Sequence, residues 1–255
     1  MLTPYRALIE LRNQRGAPPP DPLRRWYRIE NHASGKSELF LYDVIGADPF
    51  FGGVSASEFV AELRQIDAAK IILHINSIGG DVFEAKAMRT ALRDHPARIE
   101  TRIDGIAASA ASWVGLVADK VVMAPQSNMV IHDPYDGVIG AAADLRKVAD
   151  VLDMQGNDVA AMYAQKAGGA AADWRALMVG EKWFSDRQAV DAGLADVVAG
   201  QAAPQNSIKR VIEETYASMV QPRDDERKGE EAENLARAWL RHQASELRRR
   251  HGIAA

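Results

Sequence analysis

The chain has 255 residues, 47% of them hydrophobic and 26% charged, with a net charge of −4 and no cysteine. That is enough chain for one large core, or for a core with an appendage. The composition excludes disulfides, thiol nucleophiles and cysteine-ligated metals, offers no basic footprint for nucleic acid, and contains no apolar run of membrane-spanning length.

Met1 to Arg6 lack the basic-then-apolar pattern of a signal segment, so the expected compartment is cytoplasmic. Pro18, Pro19, Pro20 and Pro22 lie in a stretch of little periodicity, which predicts a flexible arm over 1–25. A folded body is expected over 26–199. Glu38 to Val44 has the aromatic and aliphatic mix of a strand, and Ser55 with Glu58 forms the capping box of a helix carrying Phe59, Val60 and Leu63. Lys70 to Ile75 is a nearly continuous apolar run, the mark of a strand covered on both faces, and it leads into Gly79-Gly80. Asp81 can cap the next helix, with Val82, Met88 and Leu92 inward and Pro96 as its stop.

Arg98 to Ile103 alternates as a strand should, with Gly105 expected to break it and a small-residue helix expected from Ala107 to Ala118. Further strands are predicted at Lys120 to Met123 and Asn128 to Ile131, then a long helix from Ala142 to Ala167 stopped by Gly168-Gly169. Ser185 and Gln188 form a second capping box, Gly193 ends that helix, and Leu194 to Val198 reads as a last strand. Strands alternating with helices predict an α/β fold with a mainly parallel sheet. From residue 200 the character changes: Gln201 to Asn206 reads as a linker, Ile208 to Met219 as a short amphipathic helix, and Asp224 to Arg250 as a charged helical tail. Its stripe of Leu235, Ala238, Trp239 and Leu247 fits either a solvated helix or an assembly element.

Three segments carry candidate chemistry. Asn76-Ser77-Ile78-Gly79-Gly80 follows a strand; the glycines make a tight turn or let a substrate carbonyl approach a bare N–H. Ser109, among Ala107, Ala108, Ala110 and Ala111, is either a small packing residue or a nucleophile at a helix start. His132 ends an apolar strand before Asp133-Pro134 and is either structural or a general base. A hydroxyl attacks an amide only with a base to take its proton and donors to hold the oxyanion, and these segments supply all three kinds of group. The Gly-x-Ser-x-Gly elbow of α/β-hydrolases is not present.

In that order and at similar spacing, Asn-Ser-x-Gly-Gly-x-Val, Gly-x-Ala-Ala-Ser and Ile-His-x-Pro resemble the ClpP family of self-compartmentalising serine peptidases, from about Glu38 to Val198. The proline-bearing arm and charged tail are more similar to the ClpP-related head-maturation proteases of tailed phages. The resemblance implies a ClpP/crotonase-like spiral of ββα units, with Ser109 as nucleophile, His132 as general base and the N–H groups of Gly80 and Ala110 as the oxyanion hole. It implies a third triad member just before Trp183-Phe184-Ser185, which is Glu181 where the family usually has Asp; Asp186 and Asp173 are the other carboxylates in reach of that role. Two further departures are Ile78 in place of the usual Pro and Ala110 in place of Met.

By the same resemblance, the substrate is a polypeptide, with scaffold or capsid protein as the head-maturation case, bound by strand addition after Gly80 and around Asp133 to Ile139. Tyr135 to Gly140 and the long helix resemble the handle through which two rings meet, which implies a ring-like homo-oligomer; a partner Clp ATPase stays open. No metal or organic cofactor is implied. Two other readings stand beside this one: a crotonase-type acyl-CoA enzyme, which leaves Ser109 and His132 idle, and an inactive scaffolding protein on a peptidase core. A signal-peptide-peptidase relative would use a Ser–Lys pair and usually a membrane anchor, neither of which is apparent here.

Overall fold

The structure, a computed structural model, describes residues 3–4, 27–32, 35–46 and 53–201, all within the compact unit Met1–Gln201. The predicted arm, apart from Thr3 and Pro4, and the predicted linker and helical tail from 202 onward lie outside the described residues.

Among the described residues eight strands form a single sheet: β1 (Tyr27–His32), β2 (Lys36–Leu41), β3 (Lys70–Ser77), β4 (Arg98–Ala108), β5 (Lys120–Met123), β6 (Asn128–Ile131), β7 (Lys182–Ser185) and β8 (Val197–Val198). The order runs β1-β2-β3-β4-β5-β8, and the far end of β4 pairs instead with β6, which pairs with β7. Pairings are parallel except β1 with β2 and β6 with β7. This is the mainly parallel α/β architecture that alternating strands and helices predict.

Helices α1 (Ala56–Leu63), α2 (Val82–Asp94), α3 (Ala110–Val114, continued by a tighter turn at Gly115–Val117), α4 (Ala142–Ala167), α5 (Ala171–Val179) and α6 (Asp186–Asp191) complete the order. Their ends follow local chemistry. Ser55 with Glu58, and Ser185 with Gln188, close reciprocal capping boxes on α1 and α6. The Asp81 carboxylate accepts the amides of Phe83 and Glu84 at the start of α2, and Pro96 forces His95 into an extended conformation at its end. Gly168, at φ 81°, terminates α4 at the predicted residue.

Alternate residues of the strands, among them Leu39, Leu41, Ile71, Leu73, Ile75, Ile99 and Ile103, pack with Phe59, Met88, Leu92, Trp113 and Tyr163 into one core. The other residues of β2, β3 and β4 bring Phe40, His74 and Asp104 together, with Phe40 stacked on His74 and His74 Nδ1 2.6 Å from Asp104.

Several expectations are corrected. Gly105 does not break its strand; β4 runs on to Ala108 through a bulge, where the register against β3 shifts between Ile75 and Ser77. Glycine is needed there because a Cβ would lie 2.6 Å from Asn76 Oδ1, the atom that accepts the Ile106 amide. Ala107 and Ala108 are therefore strand, and the predicted helix shrinks to α3 and its tight turn. The last strand is only Val197–Val198, and β1, β7 and α5 were not anticipated as elements.

Candidate active site

Ser109 joins β4 to α3 with φ 54° and ψ −129°, a region that residues with a side chain rarely occupy and that costs about 1–3 kcal/mol to hold. The surroundings over-determine it. Its amide donates to the Val130 carbonyl at 2.9 Å, and its carbonyl accepts the Ser112 amide at 2.9 Å and the Ser112 hydroxyl at 2.5 Å. Ser112 is buried and lies 2.6 Å from the Tyr163 hydroxyl, so α4 backs the turn, and burial pushes the Tyr163 phenol well above its ordinary range.

Gly79 and Gly80 lie against this turn. A Cβ on Gly79 would come 2.8 Å from the Ala110 amide nitrogen, and one on Gly80 would strike the Ile45 carbonyl at 2.0 Å. Their φ values of 88° and 154° also favour glycine. Buried Ser77 pins the loop: its hydroxyl donates to the Asp43 carbonyl and accepts the Gly79 amide at 3.1 Å. The Ala110 amide is the first of α3, a position that no intrahelical carbonyl can serve. Ile78 packs with Ile106, Ala108, Val130 and Trp183 in a small apolar cluster next to Ser109.

His132 directly follows β6, two residues beyond the carbonyl that holds Ser109. Its Nδ1 lies 2.6 Å from the Asp133 carbonyl oxygen. A carbonyl only accepts, so Nδ1 carries the proton in this contact. Glu181 directly precedes β7. Extending the antiparallel register by one pair past Ile131 and Lys182 sets His132 opposite Glu181. The amides of Asp133 and Glu181 both donate to the Met178 carbonyl, at 3.1 and 3.0 Å, which draws the two segments together. Glu181 has φ 49°, and its Oε1 accepts the Trp183 indole N–H at 3.0 Å.

The two rival carboxylates have these placements. Asp186 accepts the amides of Gln126 and Arg187, and these bonds hold its carboxyl below the usual range. Asp173 is in the first turn of α5.

The model of the Clp protease family matches residues 24–202, a span that contains all of these segments. The chain belongs to the Clp protease family. Among individual Clp protease relatives, the ATP-dependent Clp protease proteolytic subunit 1 of Protochlamydia amoebophila is 30% identical over 67% of this chain and 84% of its own length. Proteolytic subunit 1 of Streptomyces avermitilis is 25% identical over 78% of this chain and 90% of its own. The Clp protease proteolytic subunit of Pleurastrum terricola is 30% identical over 53% of this chain and 70% of its own. As a Clp protease the chain is a serine-type peptidase. Among its described residues no helix is long and apolar enough to cross a membrane.

Two features of this candidate site were not anticipated. Trp183 supplies a donor to Glu181, and Arg175 on α5 grips Asp133. The adjacency of Asp133 to His132 is visible in linear order, whereas nothing in that order marks Arg175.

Proposed function

We propose that this chain is a ClpP-type proteolytic subunit that hydrolyses polypeptides through an acyl-enzyme on Ser109. The observation that carries the proposal is the Ser109 turn, held at φ 54° by the strand that His132 directly follows and packed against Gly79. In this reading His132 Nε2 takes the Ser109 proton as the hydroxyl attacks the scissile carbonyl. The amides of Gly80 and Ala110 hold the oxyanion, a contribution typically of about a hundredfold to a thousandfold per donor. His132 then protonates the leaving amine, and a water activated by the same imidazole releases the acyl group. Glu181 stabilises the imidazolium from the opposing strand end.

An extended substrate lies along the segments after Gly80 and from Asp133 to Ile139, adding main-chain hydrogen bonds beside the nucleophile. The proposed assembly is a ring-forming homo-oligomer that meets its copies through α4, where Leu145, Val151 and Met154 are exposed. General protein degradation is the role that the proteolytic-subunit relatives favour. The narrower role in phage head maturation has its support in the proline-bearing arm and the charged tail.

A fluorophosphonate probe tests the chemistry. Wild type is expected to be modified at Ser109, and Ser109→Ala and His132→Ala are expected to lose the label. An unlabelled, folded wild type would overturn the peptidase reading in favour of an inactive scaffold.

A further inference from the structure

Arg175 lies in α5, and its side chain spans two helices and the His132 segment. Nε donates to Asp133 Oδ1 at 2.7 Å and Nη2 to Asp133 Oδ2 at 3.0 Å, the two-pronged geometry that only a guanidinium makes. Nη2 also donates to Asp153 Oδ1 at 2.9 Å, and Nη1 to the Asp153 carbonyl at 3.0 Å and Asn157 Oδ1 at 2.9 Å. A guanidinium has five N–H groups, so every donor is used. The bond to Asp133 first, and then that to the Asp153 carboxylate, raise the Arg175 pKa above its ordinary value against the opposing effect of burial.

The seat for this group is built into α4. Gly156 stands buried in the helix interior, where glycine costs about 1 kcal/mol relative to alanine, and a Cβ there would lie 2.5 Å from Arg175 Cζ. The gap left by the missing side chain is where the guanidinium lies.

Asp133 is gripped by its side chain while its own carbonyl receives His132 Nδ1–H at 2.6 Å and its amide is tied to Met178. Pro134 limits the backbone on the other side. The orientation of the Asp133 carbonyl is thereby fixed from three directions. We propose that Arg175 is a positioning residue that, through Asp133, holds His132 in the tautomer with the proton on Nδ1 and the basic lone pair on Nε2. The effect on catalysis rests on the reading of His132 as general base; the effect on the tautomer does not. Arg175 touches no reacting atom, and a simple tie between α4 and α5 would leave the imidazole unchanged.

The test uses the full chain labelled with 15N-histidine, at about pH 8 where an ordinary imidazole is neutral. The His132 signals are identified by their loss in His132→Asn. Wild type is expected to show one protonated Nδ1 and one unprotonated Nε2. Arg175→Lys, which keeps the charge but loses the fork, is expected to move both nitrogens toward the averaged pattern of free imidazole and to slow fluorophosphonate labelling of Ser109 by roughly tenfold to a hundredfold. Asp133→Asn is expected to do the same, with the double variant no worse than the more severe single one. Should Arg175→Lys not fold, Asp133→Asn decides by the same signals.

An unchanged His132 pattern in the folded variants overturns the proposal, while normal wild-type labelling leaves the peptidase reading standing. A pattern that shifts in the variants, in a protein whose Ser109 is never labelled, supports the positioning role and overturns the peptidase reading.

Discussion

Gly79 packs so closely on Ala110 that a Cβ at position 79 would sit 2.8 Å from the Ala110 amide nitrogen and 2.5 Å from the Ala108 carbonyl oxygen. The missing side chain keeps open the space beside a proposed oxyanion donor. Gly79→Ala has backbone rather than flexible side chain to displace, at a φ of 88° that alanine resists. Labelling of Ser109 is expected to fall at least about a hundredfold, the scale of one lost oxyanion donor. Labelling rates on variant protein with unchanged circular dichroism check this.

Ser109 predicts an opposition between stability and function. Glycine adopts φ 54° and ψ −129° without strain, whereas serine and alanine adopt them only at a cost. Ser109→Gly is therefore expected to be inactive yet about 1 kcal/mol more stable than Ser109→Ala. Urea midpoints of the two variants measure the difference, and equal midpoints would remove the claim of backbone strain.

Glu181 stands where the β6 and β7 register carries it toward His132. Glu181→Gln keeps the shape and the acceptor for the Trp183 indole but removes the charge that stabilises an imidazolium. A rate loss of roughly 10²–10³-fold is expected, the scale of one lost electrostatic contact in the transition state, because the Asp133 carbonyl already holds the tautomer. Near-normal turnover on a peptide substrate would assign the role to a different group.

Asp104 links acidity to stability away from the site. Burial raises its carboxyl, but hydrogen bonds from His74 and Tyr42 outweigh this and hold it below the usual carboxylate range. A depressed folded-state pKa adds stability above the unfolded value of about 3.9, and that stability disappears as pH falls through the folded value. Asp104→Asn is expected to lower the urea midpoint at neutral pH, with the gap to wild type closing below about pH 4. A gap independent of pH would contradict the charge argument.

The first half of α4 leaves Leu145, Val151 and Met154 exposed, with Met154 at 53%. In the proposed assembly a second copy covers this half of the helix. Replacing all three by Asp is expected to reduce the mass seen by light scattering while the fold is retained. A wild type that is monomeric at micromolar concentration and fully active would end the assembly reading.

Local chemistry made a good part of this protein legible in linear order. The capping boxes at Ser55 and Ser185, the Asp81 cap, and the α4 span ending at Gly168 depend on residues a turn apart, so sequence alone determined them. The order of the Gly79-Gly80, Ser109 and His132 segments determined the family in the same way. What only the tertiary structure decided involves residues far apart in the chain. Gly105 bends rather than breaks its strand because Asn76, on the neighbouring strand, needs the space of its absent side chain. Ser109 is strained because Val130 and Ser112 grip its backbone from both sides. Arg175 reaches Asp133 across 42 residues of chain, only because α5, itself absent from the predicted elements, packs on α4 over Gly156. Caps and periodicity are short-range free energies written into neighbouring residues, whereas a guanidinium seat or a held carbonyl exists only once packing has brought its walls together.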